Sequence, residues 1–147
     1  MSDLYNTDIL QWSEQQAELL RRRDAGELVN DAELDWSNIA EEIEDVGKSQ
    51  VQAVESHLTL ALLHDLKAEA WPRSLSEPSW RAEARLHRRL ARKKFTPGMR
   101  QKINLAELYA DALAGLPEEL DATAPLPVPQ TCPVTLDELL APPPKAA

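Results

Sequence analysis

The chain has 147 residues, which suffices for one domain with a sizeable hydrophobic core but not for two ordinary domains. Its single cysteine, Cys132, excludes an internal disulfide, no run approaches the roughly 20 apolar residues of a membrane-spanning helix, and the net charge of −9 argues against nucleic acid as the main partner. We therefore expect a soluble, cytoplasmic protein with no membrane partner.

The first half of the chain predicts long helices. Glycine is scarce and Ala, Leu, Glu and Arg dominate, a mixture that favours helix over strand. Apolar residues at helical spacing predict a first helix over about residues 7–23. A second helix begins after Asp35, a good N-cap residue. Its apolar side includes Trp36, Ile39, Ala40, Ile43 and Val46, and we expect this side to lie in the core, with Trp36 and Ile43 as its anchors.

Gly47 interrupts the second helical pattern without ending it. The apolar spacing resumes after Gly47 and continues to Leu66. A glycine inside a helix costs roughly 1 kcal/mol relative to alanine. The pattern therefore predicts either one long kinked helix or two helices with a tight joint at Gly47.

The second half of the chain predicts two further helices. A loop rich in proline and serine covers residues 70–80, and a basic helix follows it to about Lys94. Thr96 directly before Pro97 is a strong helix-start pattern, because a capping residue precedes a proline that suits the first helical turn. This pattern predicts a fourth helix that runs from Pro97 to about Ala114, where Gly115 ends it.

Prolines exclude another long helix in the rest of the chain, but a short one is predicted. Thr135 and Glu138 have the spacing of a capping box, which predicts a short helix through Leu140. The sequence thus predicts an all-α fold, a bundle of about four main helices with a proline-rich C-terminal segment ending in a short helix. We expect one helical domain over residues 1–141 and a disordered tail over residues 142–147.

Five segments, taken in order, resemble a known family. They are YNTDILQW (5–12), LDWSNIAEEIEDVG (34–47), LLHDLK (62–67), SW (79–80) and CPVTLDELL (132–140). Together they resemble the bacterial family called "domain of unknown function 29", over nearly the whole chain. The resemblance implies an all-helical bacterial protein and supplies no activity, cofactor or catalytic residue.

Four clustered carboxylates in the second helix are the first candidate for chemistry. Glu41, Glu42, Glu44 and Asp45 fall at different angles around the helix and spread over its polar arc. An acid–base pair needs carboxylates that converge on one substrate position. We therefore interpret the cluster as the solvated face of the helix, or as a face docked against basic residues.

The histidines give a second candidate. His57 and His64 lie seven residues apart, and on a helix their Cα atoms are roughly 10 Å apart, too far to bind one metal ion without help. Asp65 falls on an apolar side and needs an arginine or histidine partner from a neighbouring helix. The candidate polar cluster is therefore His64, Asp65 and His87. We predict no metal site and no cofactor.

The basic helix gives the third candidate, an interaction face. Residues 81–102 carry nine bases and one acid, and the candidate face comprises Arg81, Arg85, Arg88, Arg89, Arg92 and Lys93. Such a stripe suits acidic helix faces of the same chain or of a second copy, and it also suits phosphates. No aromatic residue interleaves it.

Three functions follow from these candidates. Our leading hypothesis is a non-enzymatic protein-interaction module that self-associates as a homo-oligomer. The alternative is a nucleic-acid-associated protein that uses the basic face. The third is an enzyme of unknown type centred on His64, Asp65 and His87.

Overall fold

The computed structural model describes residues 3–144. They form the helices α1 (Leu4–Thr7), α2 (Ile9–Asp24), α3 (Trp36–Ala70), α4 (Glu77–Lys94), α5 (Leu105–Ala114) and α6 (Leu136–Leu140), with 3₁₀ turns at Asp31–Glu33 and Pro97–Met99. The described residues contain no strand, and α2 to α5 are the four main helices. The predicted all-α class and helix number are therefore confirmed. The chain comprises two compact units, Met1–Lys48 and Ser49–Ala147.

The first unit is held together by polar contacts made from α2. Asp8 caps this helix by accepting a hydrogen bond from the backbone N–H of Gln11. The buried side chain of Gln16 donates to the carbonyl of Glu33 and accepts from the N–H of Asp35, at 3.1 and 2.8 Å. One amide side chain thus satisfies two backbone groups of the segment that leads into α3.

Helix α3 is continuous through Gly47. It has 35 residues and is therefore roughly 52 Å long. A Cβ built on Gly47 would meet no other atom within 4 Å, so neither a tight turn nor close packing requires glycine there. Of the two predicted alternatives, the structure has the single long helix.

The core of the second unit is built around the carboxyl-terminal half of α3. Eleven buried residues form it: Val54, Leu58, Leu62, Leu66, Ala91, Met99, Ile103, Leu108, Tyr109, Ala112 and Leu139. They come from α3, α4, α5, α6, the 3₁₀ turn at Pro97–Met99 and, for Ile103, the segment between that turn and α5. Each fully buried large apolar side chain contributes roughly 1.5–3 kcal/mol, so this cluster stabilises the unit that carries the histidines and the basic helix.

The predicted start of the fourth helix is wrong. Pro97 begins only a 3₁₀ turn, Thr96 makes no side-chain capping hydrogen bond, and α5 starts at Leu105. Asn104 caps α5 by accepting from the N–H of Glu107. Between these elements Ile103 is buried. Burial of Ile103 and the better cap at Asn104 together move the helix start by eight residues from Pro97.

The proline-rich segment ends as predicted. The Thr135 hydroxyl caps α6 by accepting from the N–H of Glu138, and it donates to the Glu138 carboxylate, so the predicted short helix forms. Leu139 inserts into the core of the second unit, where it is almost fully buried. Of the predicted disordered tail, residues 145–147 lie outside the described residues.

Candidate functional site

The amino-terminal part of α3 is not oriented as predicted. Trp36, Ile43 and Val46, expected in the core, are 49%, 68% and 65% exposed. Glu42, expected in solvent, is half-buried and accepts a 2.6 Å hydrogen bond from the hydroxyl of Tyr5. The prediction failed because helical periodicity identifies an apolar side but not the partner that covers it.

Aromatic donors explain which side of α3 faces the rest of the first unit. The Tyr5 hydroxyl donates to Glu42, and the indole N–H of Trp12 donates to the Asp35 carboxylate at 3.0 Å. The hydrogen bond to Glu42, with burial and nearby carboxylates, raises the pKa of Tyr5 to about 12. Hydrogen bonds from Asn38 and Trp12 lower the pKa of Asp35 despite its desolvation. The carboxylates of Asp35 and Glu42 therefore bind other residues of the first unit and are not free for a ligand.

The exposed apolar side of α3 forms a continuous surface, and we call Trp36, Ile43 and Val46 the α3 stripe. These residues recur at helical spacing on one side of the helix. The guanidinium of Arg23 lies 5.7 Å from the ring centre of Trp36, within cation–π range. Exposed apolar side chains are ordinary singly, but a stripe of three on one helix is typical of an interaction surface.

The histidines form a cluster that differs from the predicted one. The rings of His64 and His87 are stacked with centroids 6.0 Å apart. His57, absent from the predicted cluster, is closer: its Nδ1 lies 3.0 Å from Nδ1 of His87. Burial, followed by the nearby His87 and Lys94, lowers the pKa of His57. The prediction grouped His64 with His87 of the basic helix and left out His57, which lies on the same stripe of α3 as His64.

Asp65 does not join the histidines, and its partners are arginines. It accepts hydrogen bonds from Arg81, at 3.2 Å, and from Arg88. Its side chain is half-buried, and the Nε of Arg88 is buried without a hydrogen-bond partner. An arginine partner was one of the two expectations for this aspartate. The predicted polar cluster is thus divided between a histidine group and an ion-paired group.

Some basic residues of α4 bind other parts of the chain, and others remain exposed. Arg81 and Arg88 turn toward α3 and bind Asp65, and Arg92 donates to the carbonyl of Ala141. Of the six predicted residues, Arg85, Arg89 and Lys93 remain exposed, and we call these three with the exposed Leu86 the α4 outer face. The surface open to a partner is therefore narrower than the sequence predicts, and it includes one apolar side chain.

A cavity of about 490 Å³ opens near the carboxyl end of α3. Its wall includes Trp71, which is buried and donates from its indole N–H to the carbonyl of Thr123. Asp121 and Ala122, in the loop beside it, have φ angles of 52° and 59°, a conformation that favours glycine. The hydrogen bond of Trp71 therefore fixes this loop against the end of α3.

Residues 3–144 hold neither a preformed metal site nor a membrane-spanning helix. No group of three or more His, Cys, Asp or Glu side chains in this range already surrounds a common metal position. No helix in it is long and apolar enough to cross a membrane.

Comparison with known proteins gives the family of the chain. Residues 4–143 match the family described as "Domain of unknown function DUF29". A crystal structure of an α-helical protein of unknown function from Rhodospirillum rubrum ATCC 11170 is similar, with a TM-score of 0.63 and 28% identity over 95% of this chain and 90% of that chain. No curated protein matches significantly. Since the family match spans nearly all of the sequence, the chain belongs to the DUF29 family.

Proposed function

We propose that the protein is a non-enzymatic helical interaction module that self-associates, with the α3 stripe of one copy bound to the α4 outer face of a second copy. The observation that carries this proposal is the exposure of Trp36, Ile43 and Val46 along one side of α3. Burial of such side chains in an interface contributes roughly 1.5–3 kcal/mol each. Tryptophan is also enriched among the residues that dominate binding energy.

Charge favours a second copy as the partner. The stripe is flanked by Glu41, Glu44 and Asp45, and the segment 36–48 carries four acids and one base. Helix α4 carries seven bases and two acids, and its exposed bases surround Leu86. Each copy therefore supplies both an acidic surface with apolar residues and a basic surface with an apolar residue. In a two-fold dimer the same contact forms twice.

The chemistry of the divided polar cluster supports an interaction role over catalysis. Asp65 is engaged by two arginines, so it is not available to orient a histidine as a base. The Nδ1 of His64 donates to the carbonyl of Leu60, 2.7 Å away. In the histidine group, the carboxylate of Glu83 lies 3.6 Å from Nε2 of His87, beyond hydrogen-bond distance.

Light scattering after size-exclusion chromatography tests the proposal. We expect a dimer at micromolar concentration and low salt, and a shift toward monomer at high salt because exposed charges are screened. Ile43→Lys should give a monomer, since it places a cation against the basic partner surface. Leu28→Lys is the matched control, because Leu28 is fully exposed in a loop of the same unit. A wild-type monomer at all concentrations would refute self-association.

A charge exchange tests which surfaces meet. Arg89→Glu and Glu44→Arg should each weaken the dimer, and the double variant should recover part of the loss. If the single variants leave the dimer unchanged, the pairing of these two surfaces is wrong. Retention of the wild type on nucleic acid at low salt, lost in Arg89→Glu while the dimer is unchanged, would instead assign the basic face to nucleic acid.

A further inference from the structure

All three histidines of the chain converge within the second unit. The sequence contains only three, at positions 57, 64 and 87. The ring of His87 is stacked with both others, at centroid distances of 5.3 Å to His57 and 6.0 Å to His64. They lie on neighbouring helices, α3 and α4, and all are half-buried. All the histidines of the sequence therefore lie in one cluster.

The closest contact has the spacing of two metal ligands. The Nδ1 atoms of His57 and His87 are 3.0 Å apart. Metal–nitrogen bonds of about 2.0–2.1 Å place two ligand nitrogens roughly 2.9 Å apart in the tetragonal geometry of Cu²⁺ and Ni²⁺, and about 3.3 Å apart in the tetrahedral geometry of Zn²⁺. The observed distance lies between these two values, so the side chains of α3 and α4 place the two nitrogens at a chelating distance.

A carboxylate lies near the second ring nitrogen of His87. Nε2 of His87 lies 3.6 Å from a carboxylate oxygen of Glu83, one turn earlier on α4. In the tautomer with the proton on Nε2, the Nδ1 lone pair is free for a metal. Glu83 thus has the position of the outer carboxylate that commonly orients a metal-bound histidine.

We propose that His57 and His87 bind a divalent transition-metal cation that prefers imidazole, such as Ni²⁺, Cu²⁺ or Zn²⁺, through their Nδ1 atoms. Imidazole suits these ions, whereas Mg²⁺ and Ca²⁺ prefer oxygen. Since no third side chain is already in place, water completes the coordination, and His64 is the nearest further imidazole. His57 and His64 of α3 are too far apart to bind one ion by themselves, and His87 of α4 supplies the second ligand to His57.

Isothermal titration calorimetry of the full chain with Ni²⁺ and Zn²⁺ tests the site. We expect one ion per chain. His57→Asn and His87→Asn keep a hydrogen-bonding group near the Nδ1 position, and each should weaken binding at least about tenfold, the loss seen even for an outer-shell partner. Cys132→Ser is the matched control, because Cys132 is the only thiol in the sequence. Its affinity should equal that of the wild type.

Three outcomes would overturn the proposal: no stoichiometric binding by the wild type, an affinity equal to that of the wild type in both histidine variants, or loss of binding in Cys132→Ser. A measurement on the wild type avoids any folding defect of the variants. On addition of Zn²⁺, the ¹⁵N resonances of Nδ1 in His57 and His87 should shift together with one binding curve. If both remain unchanged at saturating Zn²⁺, their contact is only a hydrogen bond between two rings.

Discussion

The hydroxyl of Tyr5 donates a 2.6 Å hydrogen bond to the carboxylate of Glu42, 37 positions later in the chain. This bond joins the start of the chain to the side of α3 that carries the acidic cluster. The carboxylate favours the neutral phenol, and the pKa of Tyr5 is accordingly raised to about 12. The acidic cluster thus contributes to the fold of the first unit through one of its four members.

The first prediction concerns alkaline pH. A folded-state pKa above the unfolded value of roughly 10 means that the bond's contribution to stability is complete below pH 10 and is lost as the pH rises through about 12. We expect the free energy of unfolding to fall over this range. Tyr5→Phe should be less stable at pH 8 and should lose less stability between pH 8 and 11 than the wild type.

Chemical denaturation at several pH values, followed by circular dichroism, measures this effect. Tyr109 is an internal comparison, because burial also raises its pKa while its hydroxyl donates to the carbonyl of Pro129. An identical pH dependence in Tyr5→Phe and in the wild type would show that Tyr5 ionisation does not contribute.

Local chemistry made some elements of this fold predictable. The capping box of Thr135 and Glu138 needs only residues three positions apart, so its sequence pattern was sufficient. The all-α class likewise follows from composition. The start of α5 was missed because two plausible caps, Thr96 and Asn104, compete, and burial of Ile103 decides between them.

The predictions that failed concern contacts between residues that are distant in the sequence. The orientation of α3 is decided by Tyr5 and Trp12, which lie 37 and 23 positions from their partners. The histidine cluster needs the relative positions of α3 and α4, because His57 and His87 are 30 residues apart. Periodicity describes each helix by itself, so it cannot assign these contacts.

The second prediction concerns the ion pairs of Asp65. Asp65→Ala would leave the half-buried Arg88 without its carboxylate, while the Nε of Arg88 already lacks a partner. We expect a loss of about 1–3 kcal/mol in the free energy of unfolding, the scale of an unsatisfied polar group. Asp137→Ala is the control, since its pair with Arg100 is exposed and such pairs are worth about 0–1 kcal/mol. Equal losses in the two variants, measured by urea denaturation, would contradict the structural role of Asp65.

The third prediction concerns α6, which fastens the proline-rich segment. Leu139 is almost fully buried in the core of the second unit. Leu139→Ala removes most of this side chain and should cost about 2–5 kcal/mol, as other large-to-small core substitutions do. Leu126→Ala should change stability little, because Leu126 is 54% exposed in the same segment. Thermal unfolding measures both, and a small effect of Leu139→Ala would mean that α6 contributes little to the core.

The fourth prediction concerns Gly47 in the middle of α3. The helix is continuous there, and an added Cβ would meet no atom within 4 Å. Gly47→Ala should therefore stabilise the protein by roughly 0.4–1 kcal/mol, because alanine has the higher helix propensity and restricts the unfolded chain.

Gly26 is the matched control for this substitution. It also has free space around it, but its φ angle is +87°, which strains any other residue. Gly26→Ala should therefore destabilise the protein while Gly47→Ala stabilises it. Urea denaturation gives both changes, and hydrogen exchange at residues 44–51 should slow in Gly47→Ala. Destabilisation by Gly47→Ala, with faster exchange at these residues, would instead indicate that α3 bends at Gly47 in solution.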